Sequence, residues 1–567
     1  MIWLADFLRR HAKLLFGILA VAGLITFWSF LRIPSEAENQ ILFGLSLKRL
    51  AMGSMVAAVL LFNLGIVFWM SSKPSACKHG YESRFFAWLE NHIALAGVAL
   101  YIVCLAIGVL LLLVFHPFKN TAGIMESFRT LLGGSILWIF VLSLYLLALF
   151  RISYHDQLRT NKIVAAVDRF LLLAGIFLAA YLSYLHLLIW IGAERQTSYT
   201  YWNLLADEFL KGRLYLSNIP TSHDLTLYKG NWYVPMPPLP AIMMMPQAYL
   251  FGGENINTSY FSIFFSALNA VLAFLILDEL ARRKWITLSR MGMLLLVALL
   301  AFGTPHLWVG IRGRAWFVSQ IVTVFFLALA VLCTLKSWSP WLVGLCIGLA
   351  VMSRPNGAMT WPFVLAIAMQ ILNEKRADVR FKDLLAWSIK SAVPVVLAVA
   401  GLLLYNVARF ENPFDFGYVT ISGDPNIVSN AQQFGIFSLH YIPTNLNAML
   451  FKVPELRMGE TWPILPSTVG TSIFLVTPPL LYLFHRYERK WWILGAWLSI
   501  VLNFIFLILY HNTGAHQFGY RYILDAIIPI LAMLAVAMGS RVRWHFVLLL
   551  LVSAAFNIYG AYWFING

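Results

Sequence analysis

Residues 316–336 read WFVSQIVTVFFLALAVLCTLK, twenty residues without a formal charge before Lys336 closes the run. A helix of that length rises roughly 30 Å, the thickness of a bilayer's hydrocarbon core. The run has no alternation of apolar and polar residues, so it does not read as a strand of a membrane barrel, and a helix is the spanning form that satisfies its own backbone. Similar runs recur at 14–33, 50–70, 91–115, 130–150, 168–193, 258–281, 291–309, 341–354, 358–373, 388–408, 467–485, 491–510, 523–539 and 544–564. The expectation is an all-α polytopic membrane protein of about fifteen spans.

Composition agrees. The chain has 567 residues, 60% hydrophobic and 12% charged, with a mean hydropathy of +0.76, whereas soluble domains carry about 25% charged residues. Cys77, Cys104, Cys333 and Cys346 stand singly, three of them within apolar runs, so no disulfide framework or Cys-rich metal site follows. The net charge of +16 is spread in small groups between apolar runs rather than in one stripe. It reads as a topology signal and not as a nucleic-acid surface.

With Arg9, Arg10 and Lys13 on the inner side, the groups at Arg151/Arg159/Lys162/Arg169, Arg282/Arg283/Lys284/Arg290, Lys375/Arg376/Arg380/Lys382, Arg486/Arg489/Lys490 and Arg541/Arg543 also fall inside. Every chemically unusual loop is then outside: Glu194 to Asn257, the Arg312/Arg314 turn, Ser353 to Gly357, Asn406 to Ser467, and His511 to Tyr522. An active site on that face meets few nucleotide-activated substrates. Residues 1–160, four spans with short connections, read as an accessory bundle. Residues 161–567 hold all the long outer loops, 194–257 and 406–467 among them. The first apolar run lacks a small-residue cleavage site and reads as a span rather than a cleaved signal.

Two stretches of the first outer loop carry local signals. SYTYWNLLADEFLKGRLYL, from Ser198, places Tyr201, Leu204, Leu205 and Phe209 along one helical stripe, with Asp207, Glu208, Lys211 and Arg213 among them and Gly212 as a stop. It suits a helix lying at the interface. SHDLTLYKGNWYVPMPPLPAIMMMP, from Ser222, reads as two short extended arms about a Lys-Gly-Asn turn. Pro235, Pro237, Pro238 and Pro240 then forbid a regular helix until Ala241, and Pro246 interrupts the short apolar run that begins there.

In order, LADEFLKGRLYL, DLTLYKGNWYVPMPPLPA, GLAVMSRPNG, YNVARFENPFDFGY and HQFGYRYILDAIIPILAMLA resemble segments of bacterial GT-C integral-membrane glycosyltransferases of the protein O-mannosyltransferase-like and aminoarabinose lipid A transferase-like kind. The resemblance covers roughly residues 165–565 and leaves the first four spans as an extension. It implies a GT-C-like helical bundle with long outer loops carrying short amphipathic helices, a polyprenyl-phosphate sugar donor, and an acidic base in the first outer loop. It also implies an active site facing the periplasm or exterior of a bacterial inner membrane, and an acceptor that is a glycan, lipid or protein. Many members carry an Asp-Glu pair where this chain has Ser198-Tyr199. The base is then Glu194, at the end of its span, or Asp224, which has His223, Tyr228, Trp232 and Tyr233 around it in sequence.

Arg354 and Arg521 are the expected donor-phosphate ligands, since a guanidinium fork matches a pair of phosphate oxygens and a charge at a span's end needs a polar partner. His511, His516, Gln517 and Tyr520 stand near Arg521 as candidate substrate contacts, and Asp525, just inside the next span, is expected to pair with Arg521 or a tyrosine. Arg312 and Arg314 read as snorkelling to the interface. No cofactor is firmly implied. The two histidines would hold a divalent metal only if a carboxylate joined them, and no HExxH or Asp-x-Asp pattern stands beside them. The expected reaction is transfer of the sugar to an outer-face acceptor by inverting displacement. The competing reading is a membrane transporter or lipid flippase, which usually carries ionisable groups near the midplane and an inverted repeat.

Overall fold

The computed structural model describes residues 162–192, 199–375, 381–457, 464–514 and 516–566, with a few isolated positions earlier in the chain. The expected spans from 14 to 150 therefore lie outside the described residues. The chain divides into two compact units, Met1–Ala179 and Ala180–Gly567, and the second carries the candidate site.

Among the described residues, seven helices are long and apolar enough to cross a membrane. The protein is a multi-pass, α-helical integral membrane protein. Helix α1 (Lys162–Trp190) leads into a short amphipathic helix α2 (Trp202–Leu210) and a hairpin of β1 (Leu225–Tyr228) and β2 (Asn231–Tyr233). Next in the chain are α3 (Leu239–Phe251), α4 (Thr258–Arg282), α5 (Arg290–Phe302), α6 (His306–Ile311), α7 (Ala315–Leu335), α8 (Pro340–Val351), α9 (Trp361–Lys375) and α10 (Phe381–Phe410). After the second long loop, which holds β3 (Ile421–Ser422) and α11 (Pro425–Phe434), come α12 (Ile473–Val476), α13 (Trp491–Ile508), α14 (Ile527–Met538) and α15 (Trp544–Asn566).

Helix α7 is the hub, 83% buried over its apolar window, whereas only 22% of that window in α10 is buried, so α10 presents most of its apolar surface outward. Close helix contacts rest on small residues, as lipid-embedded packing favours. A side chain at Gly344 of α8 would collide with the Ser391 backbone of α10, and one at Gly495 of α13 would collide with Ala366 of α9.

Several expected spans are shorter or broken. The run 291–309 divides at Gly303-Thr304-Pro305 into α5 and α6, and α8 has 12 residues, roughly 18 Å of helix. The run 467–485 becomes α12 and a 3-10 segment, Pro478–Phe484, because Pro478 and Pro479 supply no amide hydrogens to continue the helix. Pro246, in contrast, sits inside α3 without ending it, and α3 starts at Leu239 rather than Ala241. Gly212, in the left-handed region at φ +74°, stands just past the end of α2 as expected.

The ends of α7 separate two chemistries. At its Leu335 end, Glu279 gathers Arg282 and Lys336, Trp285 stacks on Trp492 at 5.6 Å, and the Trp285 indole donates to Glu374 at 2.6 Å. At its Ala315 end α2 and the turns at 312–314 and 353–356 converge: the Trp202 indole donates to the Ala315 carbonyl at 2.6 Å, and the Leu239 amide donates to the Met352 carbonyl at 3.0 Å. The groups that charge pattern divides between inner and outer faces thus lie at opposite ends of one helix.

Candidate functional site

The hairpin positions the first candidate. Strand β1 pairs antiparallel with β2 on one side and, through Leu225–Ser422 and Thr226–Ile421, with β3 on the other. The second long loop is thereby stitched to the first, and the Thr226 hydroxyl adds a bond to the Gly417 carbonyl at 2.7 Å. At the start of β1, Asp224 takes the left-handed backbone region, φ +59°, which Asp tolerates better than most residues. Its amide donates to the Ser422 carbonyl at 2.5 Å.

This junction walls a cavity of about 640 Å³. Tyr199, His223, Asp224, Arg314, Ser353, Arg354, Asn356, Tyr418, Asp424, Tyr510, His511, His516, Arg521 and Tyr522 give it a polar side. Ile427, Val428, Ile436, Phe437, Phe506 and Leu507 give it an apolar one. Phe437, half exposed, lies 4.8 Å from Phe506 between ring centres. Ile505, beside Phe506 in α13, shares an exposed apolar face with Leu494, Leu498 and Val501. The apolar side of the cavity therefore adjoins the outward surface of a candidate span.

Within the cavity, burial raises the Asp224 carboxyl above its ordinary range, and His223, Arg521, Arg314 and His516 pull it partly back. His223 Nε2 lies 3.6 Å from the Asp224 carboxylate, an ion pair only when the imidazole is protonated. The Tyr201 hydroxyl donates to the His223 carbonyl and fixes the backbone between them. Such a carboxylate is a stronger proton acceptor than an exposed one.

Arg354 and Arg521 both face the cavity, but in different states. Arg354 Nη2 binds Asp525 at 2.9 Å, and Asp525 also accepts from Asn356 at 2.9 Å and from Gln320 at 3.2 Å. The expected Arg521–Asp525 pair is therefore corrected: Arg354 takes the carboxylate. Arg521 instead donates from Nε to the Gly514 carbonyl at 3.2 Å and from Nη1 to Gln320 at 3.3 Å, and forms no direct ion pair with a carboxylate among the described residues. Its guanidinium carbon stands 4.6 Å from the Tyr522 ring centre, and that of Arg354 stands 5.1 Å from the same ring.

Other candidates divide. His223, His511 and His516 line the cavity. His511 is buried with neither ring nitrogen hydrogen-bonded, and burial pushes its imidazole down to about 4 against a weaker opposing effect of the Ile427 backbone. Tyr228, Trp232 and Tyr233 are not in the wall. The rings of Tyr228 and Tyr233 pack edge-on to Phe410 at 5.7 and 5.3 Å, and Trp232 pairs with Leu227 across the hairpin. Alternation along a strand sends neighbouring side chains to opposite faces, and here the tyrosines brace α10. Gln517 is a strut, donating to the Val469 and Thr513 carbonyls at 2.7 and 2.8 Å and accepting from the Arg521 amide at 3.0 Å. Tyr520 is fully buried behind Tyr522. Glu194, the other candidate base, lies outside the described residues.

Arg314 is the residue that sequence reasoning passed over. Rather than snorkelling, it lines the cavity, with its guanidinium carbon 5.1 Å from the Tyr199 ring centre. The signal was a pair of arginines about one glycine in a short turn between apolar runs.

No family model, curated protein or solved structure matches the chain. Fold and site define a multi-pass membrane protein whose chemistry-bearing loops line a largely apolar cavity, set with charged and polar side chains, at one end of its central helix.

Proposed function

We propose that the protein is a GT-C-type glycosyltransferase that moves a sugar from a polyprenyl-phosphate donor to an acceptor on the outer face of a bacterial inner membrane. The observation that carries this reading is the pairing, in one cavity, of a partly buried carboxylate of raised basicity with a guanidinium that has no carboxylate partner among the described residues. In this reading the donor's polyprenyl chain lies against Phe437, Phe506 and Leu507, and its phosphate meets Arg521 and the free edge of Arg354. The acceptor hydroxyl delivers its proton to Asp224 as its oxygen bonds to the anomeric carbon. The bond from that carbon to the phosphate oxygen breaks on the opposite face, and the leaving phosphate takes the electron pair beside Arg521. Inversion results from this direct displacement, and catalysis needs positioning, one base and charge stabilisation.

A transporter reading has less support, since the ionisable groups gather at the two ends of α7 rather than around its middle. Binding separates the readings from chemistry: purified protein should bind polyprenyl phosphate, and Arg521→Gln should weaken that binding by about 10- to 100-fold. Absence of any such binding by the wild type would remove the lipid-linked donor from the account.

A further inference from the structure

Arg312 and Arg314 flank Gly313 in the turn that joins α6 to α7. Their guanidinium carbons lie 5.9 and 5.2 Å from the centre of the same ring, Phe564. The turn is rigidly seated on the start of α4: the Thr258 hydroxyl donates to the Gly313 carbonyl at 2.8 Å, the Gly313 amide donates to the Ser259 hydroxyl at 3.0 Å, and a Cβ at Gly313 would collide with the Thr258 and Ser259 backbone. Both cations are thus held against one aromatic ring.

Among the described residues nothing anionic is bonded to them. The carboxylates at the cavity contact other groups, Asp224 lying by His223 and Asp525 pairing with Arg354, and neither Arg312 nor Arg314 enters an ion pair among the described residues. The Nε atoms of both are buried without a hydrogen-bond partner, while Arg314 lines the cavity. Arg314 also precedes the first residue of α7, where the helix dipole adds positive potential. Burial disfavours both charges, most for Arg312, which its neighbour also repels. A partly buried cation without a counterion is costly, and an anion arriving at Arg314 from the cavity offsets that cost.

Asp224 feels Arg314 as well as Arg521. We propose that Arg314, assisted by Arg312, forms a second anion subsite that takes a phosphate or carboxylate of the acceptor, separate from the donor phosphate at Arg521. The inference rests on the donor reading above. It narrows the acceptor to an anionic molecule whose hydroxyl reaches Asp224 while its charge rests on Arg314.

The test uses the full chain in detergent, with polyprenyl phosphate and radiolabelled inorganic phosphate as probes in equilibrium dialysis. Wild type saturated with polyprenyl phosphate should still bind inorganic phosphate. Arg314→Gln should weaken that second binding by about 10- to 100-fold, and Arg314→Lys by less, with polyprenyl phosphate affinity retained in both. If saturated wild type takes up no inorganic phosphate, or Arg314→Gln leaves that uptake intact, there is no second subsite at Arg314. The wild-type measurement decides the first point even if a variant fails to fold. A protein that binds inorganic phosphate through Arg314 but no polyprenyl phosphate keeps the subsite and loses the donor reading, so the two failures are distinct.

Discussion

The amide of Asp224 donates to the carbonyl of Ser422 across 2.5 Å, so the residue proposed as base is also where the two long loops join. Its backbone sits at φ +59°, a region open to Asn but strained for Ala by about 1–2 kcal/mol. Asp224→Asn should therefore keep the fold and Asp224→Ala should lower the melting temperature. The raised carboxyl also sets a sign: a group whose folded pKa lies above its unfolded one contributes stability at low pH that is lost as pH rises through the folded value. At neutral pH Asp224→Asn should melt no lower than wild type.

The buried pair Arg354–Asp525 makes the opposite prediction. Asp525 is 1% exposed and holds Arg354, Asn356 and Gln320 together. Asp525→Leu leaves a partly buried guanidinium unpaired and should destabilise the protein by up to about 3 kcal/mol. Arg354→Met with Asp525→Leu should recover part of that loss. Thermal unfolding of the two single variants and the double variant checks the coupling.

His511 supplies a pH signature. Its imidazole titrates at about 4 in the fold against an ordinary 6.5, so its contribution is intact above 6.5 and is lost as pH falls from there through about 4. Melting temperature should decline across that window, and His511→Phe should flatten the decline. An unchanged slope in the variant would mean that His511 is not buried neutral.

The hairpin aromatics give a negative control. Tyr228 packs on Phe410 and its hydroxyl reaches Glu411 at 3.4 Å, outside the cavity. Tyr228→Leu should leave the KM for donor and acceptor unchanged, while His223→Ala, in the cavity wall, should raise one of them. Steady-state kinetics with each substrate varied in turn separates the two variants.

Local signals were the legible ones. Apolar runs, the stop at Gly212 and the Lys-Gly-Asn turn are written in neighbouring residues; the hairpin stands where its signal does, while of the described runs 291–309 and 467–485 are broken. Charge asymmetry along the chain grouped the loops that line one cavity in the fold. Partner choice is not local: Asp525 lies four residues from Arg521 but pairs with Arg354, 171 positions away, because the start of α14 packs against the 353–356 turn. Arg314 was legible as a charge but not as part of the site, since snorkelling and cavity lining look alike in one dimension. Tyr228, Trp232 and Tyr233 were legible as aromatics, but their direction depends on where α10 lies.

In the proposed reaction Asp224 accepts the proton during sugar transfer. Transfer of radiolabelled sugar from a polyprenyl-phosphate donor, measured for wild type and Asp224→Asn at equal donor occupancy, tests it most directly. Asp224→Asn should bind donor normally and turn over about 100- to 10,000-fold more slowly. Full turnover by Asp224→Asn would contradict it and return the role of base to Glu194.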